Sequence, residues 1–92
     1  MSEGTGETID TRRRRALYRA QHRGTKEMDW LLGRFVETRI AGMDAAALDL
    51  VEALIERPDP EIQHWILTPA DLNEPEFAGL IAELRRFHGL DH

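Results

Sequence analysis

The run from Met28 to Ile40 constrains the fold more than any other part of this chain. Met28, Leu31, Leu32, Phe35, Val36 and Ile40 recur at steps of three and four residues, the period that lines one face of an α-helix. A helix with a single apolar face must bury it against other elements, and the rest of the chain offers only more of the same kind. Ala47, Leu48, Val51, Leu54 and Ile55 form a second stripe, Ile62, Trp65 and Ile66 a short third, and Phe77, Leu80, Ile81, Leu84 and Phe87 a fourth. No segment of useful length alternates with the period of a strand, and there is no internal repeat. The pattern predicts an all-α fold, a compact five-helix bundle with a disordered N-terminal tail.

Boundary signals divide the stripes. Residues 1–9 read as the tail, since Met1 to Thr8 hold Ser, Thr and two Gly with nothing to bury. A single domain then occupies 10–92. Its first helix is expected at Thr11 to His22 with Asp10 as cap, mostly polar, with Leu17 and Ala20 facing inward. The second spans Lys26 to Ala41 and stops at Gly42. Asp44 caps the third, which ends before Pro58. Asp59 followed by Pro60 reads as a cap with proline at the first helical position of the fourth. The fifth starts near Pro75 and terminates at Gly89. Short connections of this kind force neighbouring helices roughly antiparallel.

At 92 residues the stripes consume nearly all the apolar material, which leaves little for an enclosed active site. The chain has no cysteine, so disulfides and thiolate metal sites are excluded and a reducing compartment fits. No apolar run approaches the ~20 residues that span a bilayer. The acidic, non-apolar start resembles neither a secretory signal nor a transit peptide; a cytoplasmic protein is the simplest reading.

The net charge of −5 hides a polarity: residues 1–42 hold nine Lys or Arg against six Asp or Glu, and residues 43–92 hold three against eleven. The basic part concentrates in Arg12 to Arg15, Arg19 and Arg23. It is either a solvated face or a surface that steers an acidic partner.

Between the first two helices, Arg23-Gly24-Thr25-Lys26-Glu27 compresses a helix stop, a reversal and a helix start. Arg23 suits a helix C-terminus, Gly24 can take the positive φ that closes a helix, Thr25 can cap the next run, and Glu27 falls in its first turn. Fixed opposite charges beside a residue without a side chain make a plausible docking corner; the alternative is a plain turn with an exposed ion pair worth ~0–1 kcal/mol. Trp30 lies off the main stripe just after the corner, with the composition of an interface anchor or of a satellite core contact. Trp65, on a stripe, is expected in the core.

Catalytic chemistry finds little support. Glu61 and His64 could share a helix face but have no further ligands nearby, and His22, His88 and His92 are scattered. The only serine, Ser2, lies in the tail, and no phosphate-binding loop follows a strand.

Arg23-Gly24-Thr25-Lys26-Glu27 resembles the Arg-Gly-x-x-Glu signature of the succinate dehydrogenase assembly factor 2 family, which includes the bacterial SdhE proteins. Arg14-Arg15-Ala16-Leu17-Tyr18-Arg19 stands upstream as that family's basic first helix does. Downstream, Arg57-Pro58-Asp59-Pro60-Glu61-Ile62-Gln63-His64-Trp65-Ile66 is similar to its Asp-Pro-acidic-aliphatic-x-x-Trp-aliphatic segment. The match covers about residues 12–88; the Leu67 to Asp71 connection departs from it. The resemblance implies a helical assembly factor or chaperone, not an enzyme, that binds the flavoprotein subunit of succinate dehydrogenase, and in bacteria also of fumarate reductase, and promotes covalent attachment of FAD. It implies partner contacts at Arg23, Gly24 and Glu27, and Arg15, Arg19, Asp29 and Trp30 are the flanking candidates. It implies no cofactor of the chain's own, because the FAD belongs to the partner, and no membrane insertion. A nucleic-acid-binding helix-turn-helix module using the basic helix is the alternative from another class, disfavoured by the acidic balance.

Overall fold

The apolar stripes read from the sequence converge on one core in a computed structural model that describes residues 8–90. Helix α1 is Ile9–Gln21. Helix α2 runs over residues 26–42, beginning as Lys26–Met28, widening to a π-helical stretch at Asp29–Gly33, returning to α-helix at Arg34–Arg39 and tightening to a 3₁₀ turn at Ile40–Gly42. Helices α3, α4 and α5 are Ala45–Ile55, Asp59–Leu67 and Ala78–Phe87. Short 3₁₀ turns at Pro69–Asp71 and Pro75–Phe77 connect the last two. Among the described residues there is no strand. No helix among them is long and apolar enough to cross a membrane.

All six residues of the α2 stripe are buried, together with Leu48, Val51, Leu54 and Ile55 of α3, Ile62, Trp65 and Ile66 of α4, and Phe77, Leu80, Ile81 and Leu84 of α5. Each large side chain of this set gains roughly 1.5–3 kcal/mol from burial. Trp65 is 2% exposed; its ring lies 5.8 Å from that of Phe77 and under the Arg57 guanidinium, which also pairs with Glu74.

Helix α1 has few apolar residues and packs by being thin. Ala16 and Ala20 are buried and Leu17 sits at the margin of the core. Opposite them lies Gly33, where a Cβ would come within 3.1 Å of the Ala20 carbonyl oxygen and 3.2 Å of Gln21 Cα. A side chain at residue 33 would therefore require the α1 backbone to give way by a few tenths of an ångström. This contact falls inside the π-helical stretch, where the sequence period predicted an ordinary helix. A second contact from outside falls there too: the Leu31 carbonyl accepts a hydrogen bond of 2.7 Å from His88 Nε2.

The expected tail lies outside the described residues except at its end. Helix α1 starts at Ile9, two residues before the predicted start, with Thr8 rather than Asp10 as cap: Thr8 Oγ1 accepts from the Thr11 N–H at 3.2 Å. The half-buried Ile9 packs on the core, and Asp10 instead pairs with Arg13. Asp44 caps α3 as predicted, accepting from the Ala47 N–H at 2.9 Å. Asp59 does not cap α4. Pro58 occupies the cap position, and the Asp59 carboxylate turns to Arg23. At the end of α5, Gly89 has φ +72°. The Gly89 N–H bonds to the Arg86 carbonyl and the Leu90 N–H to that of Arg85, the paired closure that a left-handed residue permits.

Candidate functional site

Arg23 follows the end of α1 at Gln21 and its His22 cap, but bonds elsewhere. Its Nε donates to Asp59 Oδ1 at 2.7 Å, Nη1 to the Ile55 carbonyl at 2.7 Å and Nη2 to the Arg57 carbonyl at 2.8 Å. The side chains of the ion pair are only 11% and 22% exposed. The sequence suits a cation here to the end of α1, with an exposed ion pair in the corner as the alternative to docking; the structure gives it to the end of α3 and the start of α4 instead. The reason is reach: the planar fork of five donors can satisfy two terminal carbonyls and a carboxylate together. Asp29 completes the clamp, its Oδ1 accepting from the Arg23 backbone N–H at 2.6 Å.

With its hinge residue held from three sides, the corner presents its other members outward. Gly24 has φ +111° and nothing within 4 Å of where a Cβ would stand, so its surface is bare backbone. Thr25 caps α2 as the sequence predicted, accepting from the Met28 N–H at 3.2 Å. Glu27 follows in the first turn, exposed. It has no side-chain hydrogen bond or ion pair among the described residues, unlike Asp29 and Asp59. Trp30 is 51% exposed, three residues on, and its ring meets His88 with centroids 4.3 Å apart. Bare backbone, an unpaired carboxylate and a half-exposed indole thus lie within seven residues on a fixed support.

The basic helix is less available than the sequence suggested. Arg12 binds Asp49 at 2.5 Å and Glu52 at 2.7 Å, and these bonds, Glu52 first and then Asp49, hold its guanidinium more firmly in the charged form than usual. Arg13 pairs with Asp10 and donates to the Met43 carbonyl at 2.7 Å. Arg19 meets Glu56 at 2.6 Å. Part of the charge polarity between the two ends of the sequence is therefore an internal match between α1 and α3. Arg14 and Arg15 are exposed.

Sequence reasoning missed His88 as a neighbour of Trp30, Asp59 as the partner of Arg23, and the stacking of exposed Tyr18 on His22 at 4.0 Å. Only the last had a local signal, an i,i+4 spacing on one helix. The His64 and Glu61 pair separates: His64 bonds Asp71 at 2.8 Å and Glu61 faces Arg57. No cluster of three or more metal-ligating side chains exists among the described residues.

Comparison with known proteins shows which family the sequence resembles. The sequence pattern of the family described as flavinator of succinate dehydrogenase matches residues 14–88. A protein of Acetobacter pasteurianus named FAD assembly factor SdhE is 37% identical over 78 residues, covering 85% of this chain and 72% of that protein. Proteins named mitochondrial succinate dehydrogenase assembly factor 2 are similar too. The Debaryomyces hansenii protein is 39% identical over 61 residues, 66% of this chain and 43% of its own length. The Dictyostelium discoideum protein is 35% identical over 80 residues, 87% of this chain and 56% of its own length. The chain thus spans about half the length of these mitochondrial relatives. No solved structure matches it.

Proposed function

The chain belongs to the family of flavinators of succinate dehydrogenase, and from that premise we propose that it acts in assembly of the enzyme by docking its Arg23 to Trp30 corner onto the flavoprotein subunit and promoting covalent attachment of FAD there. The observation that carries the reading is the division of labour within the signature. Arg23 is bonded inward to α3 and α4, while Glu27 and Trp30 are left exposed on the adjoining turns. Gly24 adds a place where a partner backbone can approach without meeting a side chain. In this reading Glu27, Trp30 and Gly24 touch the client, and Arg23 and Asp29 hold them in place. Arg15 and Arg19 border the site, with Arg19 already tied to Glu56.

Such a protein needs no catalytic group. By binding one conformation of the flavoprotein more tightly than others it raises the population in which FAD and its attachment residue meet, and the shift equals the difference in binding free energy. The flavin stays with the client throughout. The flavoprotein of fumarate reductase is a second client under the same reading, and the cytoplasm the place of action. A nucleic-acid role is poorly supported, since Arg12, Arg13 and Arg19 face acids or carbonyls of the same chain.

Titration calorimetry against the isolated flavoprotein tests the proposal. Glu27→Gln and Trp30→Ala should fold normally yet bind at least tenfold more weakly, a change of ~1.4 kcal/mol, and should leave less covalent flavin in the client when FAD is limiting. Full affinity in both variants would move the docking surface off this corner.

A further inference from the structure

The surface indole of Trp30 is connected to the core by a ladder of rings that the docking reading does not require. Its inner side meets His88, tilted by 44° at 4.3 Å. His88 stands edge-on to Phe87 at 4.9 Å, and Phe87 stands edge-on to the buried Phe35 at 5.6 Å. The His88 ring is pinned a second time by the 2.7 Å bond from Nε2 to the Leu31 carbonyl, one residue beyond Trp30 and inside the π-helical stretch. Its backbone is fixed by the closure of α5 at Gly89. A half-exposed indole on a bare helix samples several rotamers; one seated on a ring locked in two directions does not.

We infer that His88 is a positioning residue for client docking: it holds the Trp30 ring in the orientation that meets the flavoprotein, so that the functional surface extends from the Arg-Gly corner to the end of α5. The inference rests on the proposed docking role of Trp30 and adds a residue 58 positions away in sequence from it, which no local pattern joins to the signature. Its physical content is pre-organisation. Fixing the ring beforehand removes from the binding step the loss of side-chain freedom.

Two substitutions separate the ring from the hydrogen bond. His88→Gln keeps an amide donor for the Leu31 carbonyl and removes the platform under Trp30. His88→Phe keeps the platform and removes the donor. Calorimetry against the flavoprotein should show His88→Gln at least fivefold weaker than wild type and His88→Phe within twofold of it. The double variant Trp30→Ala with His88→Gln should bind no more than twofold more weakly than Trp30→Ala alone, because a residue that acts through Trp30 has nothing left to position. With 5-fluorotryptophan in both tryptophan sites, the ¹⁹F line of Trp30 should shift or broaden in free His88→Gln while that of Trp65, in the core, stays put. Full affinity of His88→Gln, additive losses in the double variant or an unmoved Trp30 line would each overturn the inference while leaving Glu27 and Trp30 as contacts. Absence of binding by the wild-type chain would instead overturn the docking reading, and this inference with it.

Discussion

Replacing Arg23 should destabilise the fold before it tests any interface. Three hydrogen bonds leave its guanidinium, one to a carboxylate and two to terminal carbonyls. Arg23→Ala deletes all three donors and strands Asp59, whose side chain is 22% exposed. Removing one member of a well-buried ion pair costs ~3–5 kcal/mol. Because this pair keeps some contact with water, the lower end applies, about 3 kcal/mol including the two carbonyls. A domain of this size loses about 4–8 °C of melting temperature per kcal/mol, so the expected fall is roughly 12–24 °C. Arg23→Lys retains the charge but not the fork, and should fall between the two. Thermal melting followed by circular dichroism gives the answer, with Glu27→Gln as the control that should melt within ~3 °C of wild type. A double-mutant cycle of Arg23→Gln with Asp59→Asn should show a coupling of at least ~1 kcal/mol. If Arg23→Ala melted with the control, the inward bonds would contribute nothing and the division between holding and contacting residues would be refuted.

At Gly24 the cost of a side chain is conformational rather than steric, since φ is +111° in open space; Gly24→Ala should lose ~1–3 kcal/mol in denaturant unfolding, and Gly24→Arg should in addition abolish client pull-down while remaining folded at low temperature. At Gly33 the cost is steric: a Cβ 3.1 Å from the Ala20 carbonyl must push α1 from α2, and Gly33→Ala should lose ~1–3 kcal/mol, a loss that unchanged urea midpoints would contradict. Replacing Arg14 and Arg15 together with Gln should slow stopped-flow association with the flavoprotein and flatten its salt dependence, with little change in dissociation; an unchanged rate at low ionic strength would leave them as a solvated face.

What the sequence made legible was what neighbouring residues decide among themselves. The α2 stripe, the burial of Trp65, the caps at Thr25 and Asp44 and the positive φ at Gly24 and Gly89 all follow from spacing or from the conformational needs of one residue. The misreadings share the opposite character. Asp59 before Pro60 has the local form of a cap, but an arginine 36 residues earlier competes for its carboxylate and wins. Helix α1 starts two residues before the expected Thr11 because Ile9, which lies within the stretch read as tail, packs on the core, a contact that no neighbouring residue announces. The π-helical turn at Asp29–Gly33 has no mark in the apolar period, and its outside contacts, Gly33 with α1 and Leu31 with His88, come from elements remote in sequence.

The competition at Asp59 also joins two sequence features that look separate. The Arg-Gly-x-x-Glu corner and the Asp-Pro segment carry the family resemblance at opposite ends of a stretch that includes two whole helices, and Arg23 and Asp59 are in direct contact at 2.7 Å. They form one structural unit. Through it the corner is fixed to the end of α3 and the start of α4 rather than to α1 alone, and its outward residues inherit the rigidity of that junction. If the protein works by differential binding, as the proposed function has it, this rigidity has a direct consequence. A corner that yielded to its client would bind several client conformations about equally and shift nothing, whereas a fixed one favours only the conformation that matches it. The inward bonds of Arg23 therefore bear on selectivity between client states as much as on the stability of the fold.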